Sequence, residues 1–524
     1  MPTLPHAGDM LAHQARLQPD RVGARDLDRA LTFRAWNDRA NRLANALLGL
    51  GLAKGSRVAV LAYNRLEWAE IYVAAAKAGL MAVPINFRLT PAETLFICQD
   101  CDVAAVIAET ALADTVDAIR ADLALPETAH ILISDSSRAG WQRYEDLLQK
   151  AAATPPAVSV TPDDPWCLMY TSGTTGNPKG AIRSHHGMAM LALMTQVELG
   201  LSRRDDALLV MPMCHANSLN FFTSFLAIGA PVTIFSRPSF DAELCLDTIA
   251  RTGVTFSSMV PTHYMTMLDA PTRPPGTFDR LSKLMVSSAP ARVETKRAIM
   301  DMFPNSGLYE LYGSTEAGWV TFLHPDEQFD HLGTVGREVT GSAPVRLLDD
   351  DGHEVPDGEI GELYSSSPYA FDGYWNLPEK TAEAFRGDYL TVGDMALRDA
   401  NGFIKLVDRK KNMIITGGEN VYPTEVEALL SQHTAVRDVA VVGIEDATWG
   451  ERVAAAVVCH PNADPTARDL IDWCRPRIAG HKRPREVHFL TSDEMPRNTT
   501  GKILHRVLRE MLKDRAGPPR KDSP

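Results

Sequence analysis

Between residues 170 and 180 the chain reads YTSGTTGNPKG, a short loop rich in glycine and hydroxyl residues with a single lysine. Gly173 and Gly176 let backbone N–H groups turn inward with no Cβ in the way. Thr171, Ser172, Thr174 and Thr175 add hydroxyl donors, and Lys179 adds a positive charge. Asn177-Pro178 supplies the turn that ends the loop. This chemistry suits a phosphate chain, yet the loop is not a P-loop. Lys179 is followed by Gly180, where the Walker pattern requires Ser or Thr, and the glycine spacing also differs. On composition alone, a polar surface loop between two strands accounts for the stretch equally well.

A second such loop, PRNTTGKILHR, carries Lys502 just before the final helix. It too departs from the Walker pattern, because Pro496 and Ile503 stand where glycine and Ser or Thr would be needed. A lysine at a helix start can meet an anion with both its ammonium and the helix N-terminal amides. Taken alone, Lys502 reads as a solvated surface lysine.

The set of motifs is more specific than either loop. YTSGTTGNPKG, YELYGSTEAG (309–318), TVGDM (391–395), DRKKNMIITGGENVYPTEVE (408–427) and PRNTTGK (496–502) occur in this order and span nearly the whole chain. Together they resemble the acyl-adenylate-forming superfamily, which includes acyl-CoA synthetases, stand-alone adenylation domains and firefly-type luciferases. The resemblance implies ATP, attacked at its α-phosphate, with magnesium and coenzyme A as the other small molecules. It implies that Thr171, Ser172, Gly173, Thr174, Thr175 and Lys179 embrace the β- and γ-phosphates. Ala289, Tyr312 and Gly313 would belong to the nucleotide site with Tyr312 flanking adenine, Thr315 would contact the α-phosphate, and Glu316 would hold magnesium. Asp394 and Arg409 would bond the ribose hydroxyls. These residue types suit those tasks, since a carboxylate accepts from hydroxyls and magnesium prefers oxygen ligands.

The implied first step joins two anions, a carboxylate and ATP, so catalysis consists of positioning and charge neutralisation. Lys502 is expected to meet the developing charge. In the second step a thiol reaches the acyl-AMP after the C-terminal domain rotates about a hinge, matched here by Asp408. Gly417, Gly418 and Glu419 then enter the site, the glycines leaving room for a narrow pantetheine arm. Trp449, His481, Arg483 and Arg485 match positions expected to take the CoA nucleotide, by stacking and by basic contacts to phosphate. His481 departs from the usual aromatic residue there.

The acyl pocket is expected from PMCHANSLNFF (212–222), SSAP (287–290) and the surroundings of Gly313 and Trp319. His215 matches a position that packs near the carboxylate or gates the pocket, and Asn217, Ser218, Ser287 and Ser288 add small polar groups to an apolar lining. PMCHANS lacks the aspartate that amino-acid-activating domains use, and SSAP departs from the commoner GGAP. The reading is an AMP-forming acyl-CoA synthetase acting on a medium-length aliphatic, alicyclic or aromatic monocarboxylate, with Trp319 closing the pocket against very long chains. A free-standing enzyme loading a carrier protein, and a catalytically silent nucleotide-binding protein, are the rivals.

These residues need a scaffold, and the chain is long enough for two or more domains at 524 residues. With 45% hydrophobic and 23% charged residues it has an ordinary globular composition. The net charge of -13 disfavours a whole-surface nucleic-acid binder, and no apolar run is long enough for a membrane span. A cytoplasmic protein is expected, with a homo-oligomer left open. Seven cysteines fit reduced thiols, and the lone Cys98-x-x-Cys101 is read as packing rather than zinc binding. Hydrophobic patterning gives strands near 57–63, 81–85 and 102–109 and a helix near 66–79, followed by recurring apolar strands. The fold class is therefore α/β, a large N-terminal domain (1–407) with largely parallel sheets. A small mobile α+β domain (408–512) and a disordered tail (513–524) are expected to follow. In the last helix, Ile503, Leu504, Val507, Leu508 and Met511 are expected on one face.

Overall fold

The computed structural model describes residues 4–171, 177–271, 278–289, 291, 293–417, 419–446, 448–497 and 501–516. The chain forms two compact units, Met1–Pro344 with Ser365–Leu390, and Val345–Tyr364 with Thr391–Pro524. Asp408, the expected hinge, lies inside the second.

The first unit is an α/β structure with two large sheets. Its seven-stranded sheet runs in the order Gln142–Arg143, His130–Ile133, Val103–Glu109, Arg57–Leu61, Met81–Pro84, Pro165–Thr171, Lys179–Ser184. Every pair is parallel except the last, an antiparallel hairpin. The nine-stranded sheet is parallel through Gly307–Ser314, Lys283–Ser287, Phe256–Met259, Ala207–Leu209, Val232–Ile234 and Val22–Arg25, and antiparallel at both margins. Continuous apolar runs such as VAVL at 58–61 are buried on both faces, as helix-covered parallel strands require. The helix Glu67–Ala78 is buried along its whole length, which forces its charges to find partners. Glu67 pairs with Arg29 and Arg65, and Glu70 with Arg39.

The second unit is α+β. An antiparallel sheet orders Arg346–Leu348, Gly361–Tyr364, Asp394–Arg398 and Ile404–Arg409. A second sheet centres on Gly450–Cys459, flanked by Val436–Asp446, Glu486–Phe489 and Ile414–Thr416. Period-two alternation sorts its side chains: Val439, Val441, Val453 and Val457 pack with Leu430 and Leu470, whereas Ala440, Val442, Ala454 and Ala456 pack with Leu508 and Leu512.

Two expectations about the C-terminus change. The last helix runs from His505 to Ala516, into the segment read as a disordered tail, while residues 517–524 lie outside the described residues. Arg515 pairs with Glu494 and Lys513 with Glu445, which ties this turn to the unit. Its apolar stripe is Leu508 and Leu512, with Ile503 and Met511 alongside, and Val507 is exposed. Residues four apart share a helix face, whereas Val507 lies about 100° round from Leu508.

All seven cysteines are free thiols, and burial pushes Cys98 and Cys101 up to about 12, as packing residues. Among the described residues no helix is long and apolar enough to cross a membrane.

Candidate active site

The hairpin at the edge of the seven-stranded sheet sets Thr171 opposite Lys179 and Tyr170 opposite Gly180. The loop between them holds Ser172, Gly173, Thr174 and Thr175, which lie outside the described residues. Thr171 Oγ1 donates to Glu316 Oε1 at 3.1 Å. Glu316 comes from the other sheet, on the turn joining Gly307–Ser314 to Gly318–Leu323. That turn is tight. Ser314 pairs with Gly318, the Ser314 hydroxyl accepts from Ala317 N–H, and a Cβ on Gly313 would stand 2.1 Å from the Gly318 carbonyl oxygen. Gly313 therefore admits no side chain, and Tyr312 before it is buried in the strand.

Sequence reasoning passed over two residues here. The Tyr374 hydroxyl donates to Glu316 Oε1 at 3.0 Å, and the Lys179 ammonium lies 3.8 Å from the centre of the Tyr374 ring. Tyr374 is held there by backbone pairing: residues 372–375 run beside Lys179–Ser184, with Ile182 N–H donating to Gly373 and Trp375 N–H to Gly180. The other is Arg183, almost wholly buried, whose guanidinium donates to the Thr315 carbonyl at 2.8 Å. The signal was the GYWN stretch (373–376) following the motifs, and a charged residue at a strand position that is otherwise apolar.

Glu316 Oε1 thus accepts two hydroxyl bonds, and Oε2 has no partner among the described residues. A nearly buried carboxylate with one committed oxygen, beside a threonine hydroxyl, is an oxygen donor set suited to magnesium.

At the acyl end, His215 caps the helix Ala216–Ile228 without a side-chain cap bond. Part of its surface remains accessible, but dense packing removes enough water to lower its imidazole to about 4, with Arg88 acting in the same direction. It is neutral at pH 7. Asn217 lies in the first turn of that helix and reaches Ser258 and Ser287. Ser218, one position on, is fully buried with its hydroxyl committed to the Met211 carbonyl, so it offers nothing to a ligand. Trp319 is buried against Phe221, with its indole N–H bonded to Thr195. Ser288 is exposed with φ of 67°, a left-handed conformation natural to the glycine of the commoner motif, and Ala289 follows it, half-buried.

In the second unit Asp394 and Arg409 face each other across adjacent strands and form an ion pair at 2.9 Å. Asp408 Oδ1 accepts from Arg409 N–H and Asn412 Nδ2, and its Oδ2 accepts from Thr424 N–H. It thereby caps the helix Pro423–Leu430, whose own N-cap residue Tyr422 provides no side-chain bond. Lys502 is exposed at the surface yet closely surrounded; desolvation lowers it to about 8, Arg409 adds to the fall, and Asp394 and Asp408 oppose it.

Trp449 is 43% exposed, and Arg485 lies over its ring at 4.9 Å. Gly417 donates its N–H to the Trp449 carbonyl at 2.8 Å, which joins two expected CoA positions. Glu419 opens the exposed strand Glu419–Val421, and Gly418 lies outside the described residues. His481 and Arg483 sit on and just after the short turn Gly480–Lys482, where Arg483 packs against Gly480. No direct contact joins either of them to Trp449 among the described contacts.

Comparison with known proteins agrees with this architecture. The AMP-binding enzyme family matches residues 11–375, and the AMP-binding enzyme C-terminal domain matches residues 425–502. The chain is 36% identical to the long-chain-fatty-acid–CoA ligase FadD13 of Mycobacterium tuberculosis, over 96% of this chain and 98% of the relative. It is 33% identical to the indoleacetate–CoA ligase of Aromatoleum aromaticum over the same shares. The crystal structure of the anthranilate CoA ligase AuaEII with anthranoyl-AMP superposes with a TM-score of 0.90, at 29% identity, covering 99% of each chain. The chain belongs to the AMP-binding enzyme family, within the acyl-adenylate-forming superfamily, and is an ATP-dependent acid–thiol ligase.

Proposed function

We propose that this enzyme is an AMP-forming acyl-CoA ligase for a medium-length aliphatic, alicyclic or aromatic monocarboxylic acid, working in the cytoplasm. The observation that carries the nucleotide chemistry is the convergence on Glu316: Thr171 and Tyr374 both bond its Oε1, and Tyr374 also supports Lys179. Three stretches far apart in sequence thus supply a carboxylate, a hydroxyl and a cation to one place.

In the first step the substrate carboxylate oxygen bonds to the α-phosphorus of ATP and the bond to the β-phosphate oxygen breaks, releasing pyrophosphate. Lys179 and the Thr171 hydroxyl neutralise and orient the phosphates, and Lys502 meets the charge that develops at the α-phosphate. Glu316 would hold magnesium, which when bound shares the phosphate charge. Asp394 and Arg409 position the ribose. In the second step the C-terminal segment 408–512 turns about Asp408, the CoA sulfur bonds to the acyl carbon, and AMP leaves. The thiol proton passes to solvent or to the departing phosphate. Trp449, His481, Arg483 and Arg485 take the CoA nucleotide.

The test is mass spectrometry of thioesters after incubation with MgATP, CoA and a panel of fatty, alicyclic and aromatic acids. A dominant acyl-CoA with stoichiometric AMP supports the reading; accumulation of acyl-AMP without thioester would replace CoA by another acceptor. A narrower prediction concerns Tyr374. Tyr374→Phe keeps the ring beneath Lys179 but removes a hydrogen bond to a carboxylate, and should raise KM for MgATP about tenfold. Tyr374→Leu removes the ring as well and should raise it further. Pyrophosphate release titrated against MgATP measures both.

A further inference from the structure

The wall that carries Asn217 contains a closed polar triangle within otherwise apolar packing. Asn217 Nδ2 donates to Ser258 Oγ at 3.2 Å and to Ser287 Oγ at 3.0 Å, and the two serine hydroxyls lie 3.1 Å apart. The three residues come from different elements: the first turn of Ala216–Ile228 and the adjacent parallel strands Phe256–Met259 and Lys283–Ser287. Ser258 and Ser287 sit at the carboxyl ends of those strands, where open parallel sheets take their ligands. Both serines are buried, whereas Asn217 is only half-buried.

Counting donors and acceptors shows what the triangle leaves over. Both Asn217 N–H groups are committed, and one serine hydroxyl donates to the other. One serine hydrogen remains, and Asn217 Oδ1 has no partner among the described residues. Asn217 Oδ1 is not sealed in the core, so a bound molecule can reach it. An acceptor fixed in this way is matched by an O–H or N–H and penalises a ligand that lacks one, because the oxygen loses water without gaining a bond. A wall built only for a hydrocarbon chain has no use for three polar groups whose bonds must close on themselves.

We propose that Asn217, braced by Ser258 and Ser287, determines specificity for a carboxylic acid bearing a hydroxyl or amino substituent. The substituent donates to Asn217 Oδ1 and accepts the remaining serine hydrogen. This inference rests on the acyl-CoA ligase reading and narrows its substrate class.

The experiment compares kcat/KM for matched acids with MgATP and CoA: benzoate, its three hydroxy and three amino isomers and the corresponding methoxy acids, and hexanoate against its hydroxyhexanoates. The expected result is that, on at least one skeleton, a hydroxy or amino acid exceeds both its unsubstituted and its methoxy counterpart by about tenfold or more. Asn217→Leu should remove that preference while sparing the unsubstituted acid, and Ser258→Ala should move the ratio in the same direction. Retention of the preference in both variants would overturn the role of the triangle. Should Asn217→Leu fail to fold, Ser258→Ala and the wild-type ratios decide the matter. Wild-type turnover that favours the unsubstituted or methoxy acid on every skeleton would overturn the inference and leave the ligase reading standing. Absence of both acyl-AMP and thioester with every acid would overturn that reading itself.

Discussion

Lys502→Ala lowers the rate of acyl-AMP formation by about 10²–10³-fold, the usual cost of deleting one preorganised charge-stabilising group, and leaves thioester formation from supplied acyl-AMP nearly unchanged. The asymmetry follows from the chemistry of the two steps. Adenylation brings a carboxylate against a triphosphate and needs a cation at the α-phosphate; thiolysis of acyl-AMP releases a monoanion and does not. Lys502 also gives adenylation a distinctive pH dependence. Its ammonium is lowered to about 8, chiefly by desolvation and then by Arg409. Below that value it is charged and active; as pH rises through about 8 it loses its proton, and adenylation declines. An ordinary lysine would keep its charge to about 10.4. Lys502→Arg, whose guanidinium stays protonated, should have lower activity but lose the decline near pH 8. Single-turnover formation of acyl-AMP across pH 6.5–9.5 measures this, and equal loss of both half-reactions in Lys502→Ala would remove the assignment.

The sequence patterns that forecast the scaffold are those in which local chemistry determines the outcome. VAVL and MAVP are apolar on both faces and could only be strands covered by helices, and both are buried as expected. The boundary of the last helix was less legible, because its final turn is held by ion pairs from Arg515 and Lys513 to residues distant in sequence. The nucleotide site shows the same division. Thr171, Lys179 and Glu316 were evident from motifs because residue type and spacing carry their chemistry. Tyr374 and Arg183 were not, since a tyrosine and a strand arginine acquire meaning only when pairing of residues 372–375 with Lys179–Ser184 brings them to Glu316 and Thr315. The Asn217 triangle was half visible. Asn217 and Ser287 stood out as polar residues in an apolar setting, but Ser258, 41 positions from Asn217, joins them only through the parallel pairing of its strand with Lys283–Ser287.

Gly417→Val is expected to have the opposite profile to Lys502→Ala, with thioester formation from acyl-AMP reduced about 100-fold, the scale of effect that a misplacement of about 1 Å produces, and acyl-AMP formation largely retained. Two independent observations require glycine here. Its φ is 60°, where a β-branched residue is strained, and a Cβ would stand 2.9 Å from the Trp449 ring. The ring cannot yield without consequence: its own carbonyl accepts the Gly417 N–H, and Arg485 lies over it at 4.9 Å. A side chain at 417 therefore displaces the indole expected to stack on the CoA adenine and fills the path proposed for the pantetheine arm. Those two effects separate kinetically, because loss of stacking raises KM for CoA whereas obstruction lowers kcat at saturating CoA. Trp449→Ala, which removes the stacking surface and leaves Gly417 unobstructed, should raise KM alone. If Gly417→Val instead slowed adenylation and thiolysis equally, the substitution would be acting on the fold of the second unit, and no acceptor path would run past Gly417.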